Sequence, residues 1–256
     1  MPRSTGFRSR WTTVSGVRTH DRHRCAAAGV PVVLVHGLAV SHRYLLPTAR
    51  ALAPHHPVLV PDLPGFGLSD KPGTAWDVDG HAAHLAAWLD ALALDHVCLA
   101  GHSFGAEVVA RLAVRRPDLV AALVLAGPTT DPVARSRTGL VRRFLVDMLV
   151  EAPAQAPMIA RDAMVARPWR VLATVDHSVR NHIEDDLAHL PVRPLVLGGE
   201  LDPIAPARWR ASVASLTGGT SVTIPGAAHN ALTTSGRRAA NAIAGHLART
   251  RPVSPR

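Results

Sequence analysis

Three side chains far apart along the chain are of the types that together cleave an acyl bond: Ser103, Asp202 and His229. A serine hydroxyl is a poor nucleophile near neutral pH and needs a base to take its proton and an acid to orient that base. Ser103 stands at the centre of Gly101-His102-Ser103-Phe104-Gly105, directly after an apolar run and before a helical pattern that stops at Pro117. Glycines two residues away on each side allow a bend too tight for side chains. Between a strand and a helix, that bend lifts the hydroxyl out at the end of the strand, above a helix amino terminus. Asp202 and His229 each follow another apolar run, L-V-L-G-G-E-L and V-T-I-P-G-A-A. Glu200 and Asp131 are competing acids. His102 takes the free position of the bend and is expected to point away from Ser103, and His20, His23, His55 and His56 are expected at the surface or in helices. The backbone N–H groups of Phe104 and of Leu38, in the turn His36-Gly37-Leu38, are the expected donors to an oxyanion.

These residues can meet only if the strands before them are parallel. Short Val- and Leu-rich runs at 31–37, 57–63, 97–102, 122–127, 194–199 and 221–226 alternate with helical patterns near 41–53, 80–93, 104–116, 206–216 and 234–249. Continuous apolar strands separated by helices specify an α/β fold with a mostly parallel central sheet covered on both faces. The carboxyl ends of such strands share one edge, where 103, 202 and 229 would converge. Residues 8–24 read as two strands joined by a turn at Ser15-Gly16, an antiparallel edge on that sheet. Residues 128–191 interrupt the alternation with helical patterns at 140–150 and 176–187. This gives a core of 1–127 and 192–256 with a helical cap insertion at 128–191. Leu140, Phe144, Leu145, Met148, Met158, Ile159, Met164 and Trp169 of the insertion are the expected lining of an apolar substrate pocket, Phe144, Met148, Met164 and Trp169 foremost, with packing of the insertion on the core as the alternative.

Composition narrows the partners. The formal charge is +9, but Lys71 is the sole lysine and the arginines are scattered singly or in pairs. That pattern speaks against nucleic acid as a partner. Two cysteines, Cys25 and Cys98, make no disulfide framework, and Cys98 reads as a small core hydrophobe. No stretch has the length of a membrane span, and the basic start lacks the apolar segment of a secretion signal. The expectation is a soluble cytoplasmic protein with a small-molecule substrate and no membrane partner, and a disordered tail at 251–256.

The motifs H-G-L (36–38), D-L-P-G-F-G-L-S-D-K-P (62–72), G-H-S-F-G (101–105), G-E-L-D-P-I (199–204) and G-A-A-H (226–229) together resemble the α/β-hydrolase superfamily, in that family's order. The resemblance spans about residues 8 to 249. It implies Ser103, Asp202 and His229 as the triad, a structural role for Asp62, and no metal or cofactor. A serine at 103 departs from the haloalkane dehalogenases and epoxide hydrolases of this fold, which have aspartate there. The turn H-G-L-A-V-S departs from the H-G-x-G-P-G of carbon–carbon bond hydrolases and from the H-G-G-G of certain lipases. The expected activity is serine hydrolysis of a small or medium apolar ester, lactone or thioester. Carbon–carbon hydrolysis of ring-fission products, acyl transfer or perhydrolysis by the same triad, and ligand binding without turnover are the alternatives.

Overall fold

The computed structural model describes residues 6–250, so the expected disorder of 251–256 falls outside the described residues. Eight strands form one sheet: β1 (Arg8–Val14), β2 (Val17–Arg24), β3 (Val32–Val35), β4 (Val58–Pro61), β5 (Val97–His102), β6 (Val120–Ala126), β7 (Leu195–Gly199) and β8 (Thr220–Ile224). Their order is β1-β2-β4-β3-β5-β6-β7-β8. β1 and β2 pair antiparallel through a turn at Ser15-Gly16, both at positive φ, and β2 runs antiparallel to β4. From β4 to β8 all neighbours are parallel.

Every residue of β3, β4, β5 and β7 is buried, because helices cover both faces. On one face Leu99, Leu123 and Leu125 pack beneath α2 (Val78–Ala91), α3 (Phe104–Arg115) and α8 (Ala207–Thr217). On the other, Cys98, Ala100 and Val124 pack beneath α1 (His42–Leu52) and α10 (Gly236–Arg249). Alternate residues of β5 thus enter opposite layers, as the period of two requires. Cys98 lies in the second layer, where burial pushes its thiol up to about 12 and leaves it unreactive.

Between β6 and β7 the chain forms α4 (Arg137–Val150), α5 (Ala156–Ala166), α6 (Pro168–Arg180) and the short α7 (Ile183–Leu187). These helices reverse the usual arrangement. The buried positions are Arg143 and Asp147 on α4, Asp162 and Ala166 on α5, and Arg170, Thr174 and Ser178 on α6. Polar contacts fasten the insertion to the core. Arg143 donates to Asp131 at 2.6 Å and to the carbonyl of Ile204 at 2.9 Å. Asp162 accepts from Ser41 Oγ at 2.5 Å, and Arg170 donates to the carbonyls of Thr74 and Pro72. No helix among the described residues is long and apolar enough to cross a membrane.

Two histidines expected at the surface or in helices depart from that expectation. His23 lies half-buried in β2 with its Nδ1 2.9 Å from Asp21. His20 is fully buried, because its Nδ1 hydrogen-bonds Asp62 at 2.9 Å beneath the loop after β4. Asp62 also accepts from His42 Nδ1 at 2.8 Å and from the backbone N–H groups of His42 and Leu68. Burial works against its charge, but the two imidazoles hold the carboxyl well below the usual range. The ligand-type atoms of His20, His42 and Asp62 lie within 4.8 Å of one another. They are engaged with each other, as an anchor for the 62–72 loop.

Candidate active site

Ser103 follows β5 in a strained conformation, φ 55 and ψ −123, and its N–H continues the ladder by donating to the carbonyl of Ala126 at 2.9 Å. The bend closes only because Gly101 and Gly105 lack side chains. A Cβ at Gly101 would collide with the carbonyl of Gly105, and one at Gly105 would lie 2.5 Å from the carbonyl oxygen of Val35. This is strain held at a candidate nucleophile by the surrounding packing.

Asp202, in the turn after β7, accepts the backbone N–H groups of Ile204 and Ala205 at 2.9 and 2.8 Å through Oδ1. So held, it faces His229, whose Nδ1 lies 3.0 Å from Oδ2 and 3.1 Å from Oδ1. The carboxylate assigns the proton to Nδ1 and leaves Nε2 with its lone pair free. Nε2 is buried and has no hydrogen-bond partner; Ser103 and His229 line the same cavity. Burial by itself would lower the imidazole pKa. The Asp202 carboxylate overrides it as charge and as hydrogen-bond acceptor, helped by Asp147 and Glu151, and lifts it to about 8. For Asp202 burial works against ionisation, but His229 and the donated hydrogen bonds hold its carboxyl below the ordinary range.

The competing acids lie elsewhere. Asp131 is paired with Arg143 and Arg208, and Glu200 is exposed and accepts the N–H of Gly226. Leu38 and Phe104 line the cavity with Ser103. Neither of their N–H groups has a protein acceptor among the hydrogen bonds of the described residues, the condition for donating to a substrate oxygen.

Two supporting sets of residues were not anticipated from sequence. In the first, the N–H of Gly37 donates to Tyr44 Oη at 3.0 Å, and that hydroxyl donates to His102 Nδ1 at 2.5 Å. His102 Nε2–H in turn donates to the carbonyl of His229 at 2.9 Å. Burial, then the charge of His229, lower His102 to about 3, so it stays neutral and keeps this tautomer. Its ring packs against that of His229, centroids 4.6 Å apart. The chain Gly37-Tyr44-His102-His229 therefore ties the turn after β3, the bend at Ser103 and the histidine loop into one unit.

In the second, α4 reaches down onto the histidine loop. Asp147 accepts the N–H of His229 at 3.3 Å, and Glu151, one turn later, accepts the N–H of Asn230 at 2.5 Å. Burial raises the Asp147 carboxyl to about 6, with His229 opposing and Glu151 and Asp202 adding to the rise. No sequence signal singles out this pair, because their four-residue spacing lies on a helix that also carries Arg137, Arg142 and Arg143.

The cavity has a volume of about 260 Å³. Leu38, Val40, Leu140, Val141, Phe144, Ile159, Val171, Val175 and Ile204 give it an apolar wall, and Asp147 is the one carboxylate among its lining residues. Of the side chains expected to line a pocket, Leu140, Phe144 and Ile159 do, and Leu145, Met148, Met158, Met164 and Trp169 do not. Met148, Met164 and Trp169 are 61%, 68% and 44% exposed on the outer side of the insertion. The expectation failed because apolar periodicity shows that a helix has two faces but not which one turns inward. Here buried ion pairs and hydrogen bonds decided it.

Comparison with known proteins follows this geometry. The family described as alpha/beta hydrolase fold matches residues 30–144, and the family described as TAP-like protein matches residues 162–252. The 2-hydroxy-6-oxo-2,4-heptadienoate hydrolase of Pseudomonas putida is 40% identical over 127 residues, 46% of this chain and 44% of that protein. Lipase LipV of Mycobacterium tuberculosis is 36% identical over 161 residues, 62% of this chain and 58% of that protein. The chain therefore matches less than two thirds of the length of these curated relatives. An esterase structure from Thermogutta terrifontis superposes with a TM-score of 0.81 at 23% identity, over 95% of this chain and 99% of that one. Sheet order, the bend at Ser103 and the two family matches, which between them take in both halves of the core, agree: the chain belongs to the α/β-hydrolase superfamily.

Proposed function

We propose that the protein is a serine hydrolase of small or medium apolar esters, lactones or thioesters, working through an acyl-enzyme. The observation that carries this reading is the free Nε2 of His229, which shares an apolar cavity with Ser103 while Nδ1 is bound to Asp202. Ser103 Oγ attacks the substrate carbonyl as Nε2 takes its proton, and Asp202 stabilises the imidazolium. The N–H groups of Leu38 and Phe104 receive the oxyanion. Collapse of the tetrahedral intermediate expels the leaving group, which takes the proton from Nε2. Water, deprotonated by the same nitrogen, then attacks the acyl carbon and frees Ser103. The helical insertion serves as a cap that shields these steps from bulk water.

Carbon–carbon hydrolysis is the second reading, favoured by the 40% identity to a heptadienoate hydrolase. The lining opposes it: no Arg or Lys is among the described residues that line the cavity, and Asp147 would repel a dienoate carboxylate. A fluorophosphonate probe is expected to label the protein and to fail on Ser103→Ala. Labelling that survives in the variant removes Ser103 as nucleophile. Turnover of a ring-fission dienoate at a kcat/KM above that of every apolar ester in a chain-length series decides for the second reading.

A further inference from the structure

The outer side of the insertion is as unusual as its buried side. On α4, Leu145, Met148 and Leu149 are 57%, 61% and 85% exposed, and on α5 and α6 Met164 and Leu172 are 68% and 66% exposed. The apolar surface is continuous with the mouth of the cavity, because Val141, Phe144 and Leu172 line the cavity and are also exposed. Contiguous apolar surface on a soluble domain marks a place where something docks. The sequence itself reads as a chain without a membrane partner; this face departs from that expectation.

Charge identifies the occupant. Arg142 lies among the outward residues of α4, three before Leu145 and seven before Leu149, on the same side of the helix. Arg161 lies three residues before Met164 on α5, and Arg167 joins α5 to α6. All three are exposed, and none forms an ion pair among the described residues. The acids Asp131, Asp147 and Asp162, by contrast, are turned inward. A face of exposed Leu, Met and Trp studded with unpaired guanidinium groups complements an anionic lipid surface, where side chains enter the acyl boundary and arginines meet phosphates. A second copy on the same face would bring these arginines toward their equivalents, a like-charge juxtaposition. The net charge of +9 adds attraction at longer range.

We propose that the outer face of the insertion, formed by α4, α5 and α6, docks the protein on anionic phospholipid surfaces. Docking leaves the cavity mouth, framed by Val141, Phe144 and Leu172, open toward the lipid. The inference rests on the outer face alone and stands whether or not Ser103 is a nucleophile.

The test is co-sedimentation of the full chain with vesicles of phosphatidylcholine alone and of phosphatidylcholine mixed with phosphatidylglycerol. Binding to the anionic vesicles, weakened by salt, is the expected result. Neutralising two guanidiniums in Arg142→Gln/Arg161→Gln should weaken that binding about thirtyfold. Leu145→Asp/Leu149→Asp should abolish it while hydrolysis of a short soluble ester is unchanged, since neither leucine lines the cavity. Absence of binding to both vesicles, or equal binding to both that these variants leave intact, overturns the proposal. So does a dimer in solution that Leu145→Asp/Leu149→Asp splits into monomers, which would make a second copy the occupant.

Discussion

Glu107 lies in the first turn of α3, just behind Ser103, and is completely buried. It accepts hydrogen bonds from Thr129 Oγ1 at 2.7 Å, Ser178 Oγ at 2.5 Å and Asn181 Nδ2 at 2.8 Å, joining the helix after Ser103 to the insertion. Burial is the largest influence on it. It outweighs the three donors and the charge of Arg135, which pull downward, and raises the carboxyl from 4.5 to about 7. Between these two values the folded protein keeps a proton that the unfolded chain has released, so stability falls as pH rises through that window. Integrating the two titrations gives a loss on the order of 2 to 3 kcal/mol between about pH 5 and about pH 8. Glu107→Gln has nothing to titrate there, and the remaining ionisable groups are common to both chains. Whatever constant offset the exchanged hydrogen bonds introduce, the stability of the variant relative to the parent should rise by roughly 2 to 3 kcal/mol across this range. Urea unfolding followed by tryptophan fluorescence at a series of pH values measures it. Two stability curves that run parallel in pH would refute the reasoning, because the carboxyl would then titrate at similar values folded and unfolded.

If His229 is the base, as proposed, it must be neutral, so the acid limb of kcat/KM should fall near pH 8, where that imidazole titrates. Asp147→Asn keeps an acceptor for the N–H of His229 but removes a negative charge that favours the imidazolium, so the limb should move to lower pH; an unmoved limb would mean that the insertion does not tune the base. Phe144→Ala should lower kcat/KM for longer acyl chains about tenfold, whereas Met148→Ala should leave it unchanged, and equal losses in an ester series would contradict the assignment of the cavity wall.

The parallel core and the edge where Ser103, Asp202 and His229 gather were legible in the sequence. Ser103 directly follows its strand and Asp202 and His229 lie in the turns just beyond theirs, and parallel strands end on the same side of their sheet. A bend that needs two glycines is a local steric demand, and local demands are written in local residue types. The preference for Asp202 over Glu200 and Asp131 agreed with the geometry, because only Asp202 sits in a turn whose N–H groups aim its carboxylate at His229. Missing from that reading were the partners that act across the fold. Tyr44, His102, Glu107 and Glu151 carry no signature, since what each does depends on an atom brought to it from 58 to 127 residues away.

The insertion marks the boundary between the two kinds of information. Sequence determines that 128–191 is helical and two-faced, because periodicity is a property of the helix alone. Which face turns inward depends on what the core offers beneath it. Here the core presents backbone carbonyls at Pro72, Thr74 and Ile204, N–H groups at His229 and Asn230, and the hydroxyl of Ser41. Leaving those groups buried and unpaired costs more than exposing a few leucines and methionines, so the tertiary structure drew Arg143, Asp147, Asp162 and Arg170 inward, gave Leu140, Ile159 and Val175 to the cavity wall, and left Leu145, Met148, Leu149 and Met164 facing out.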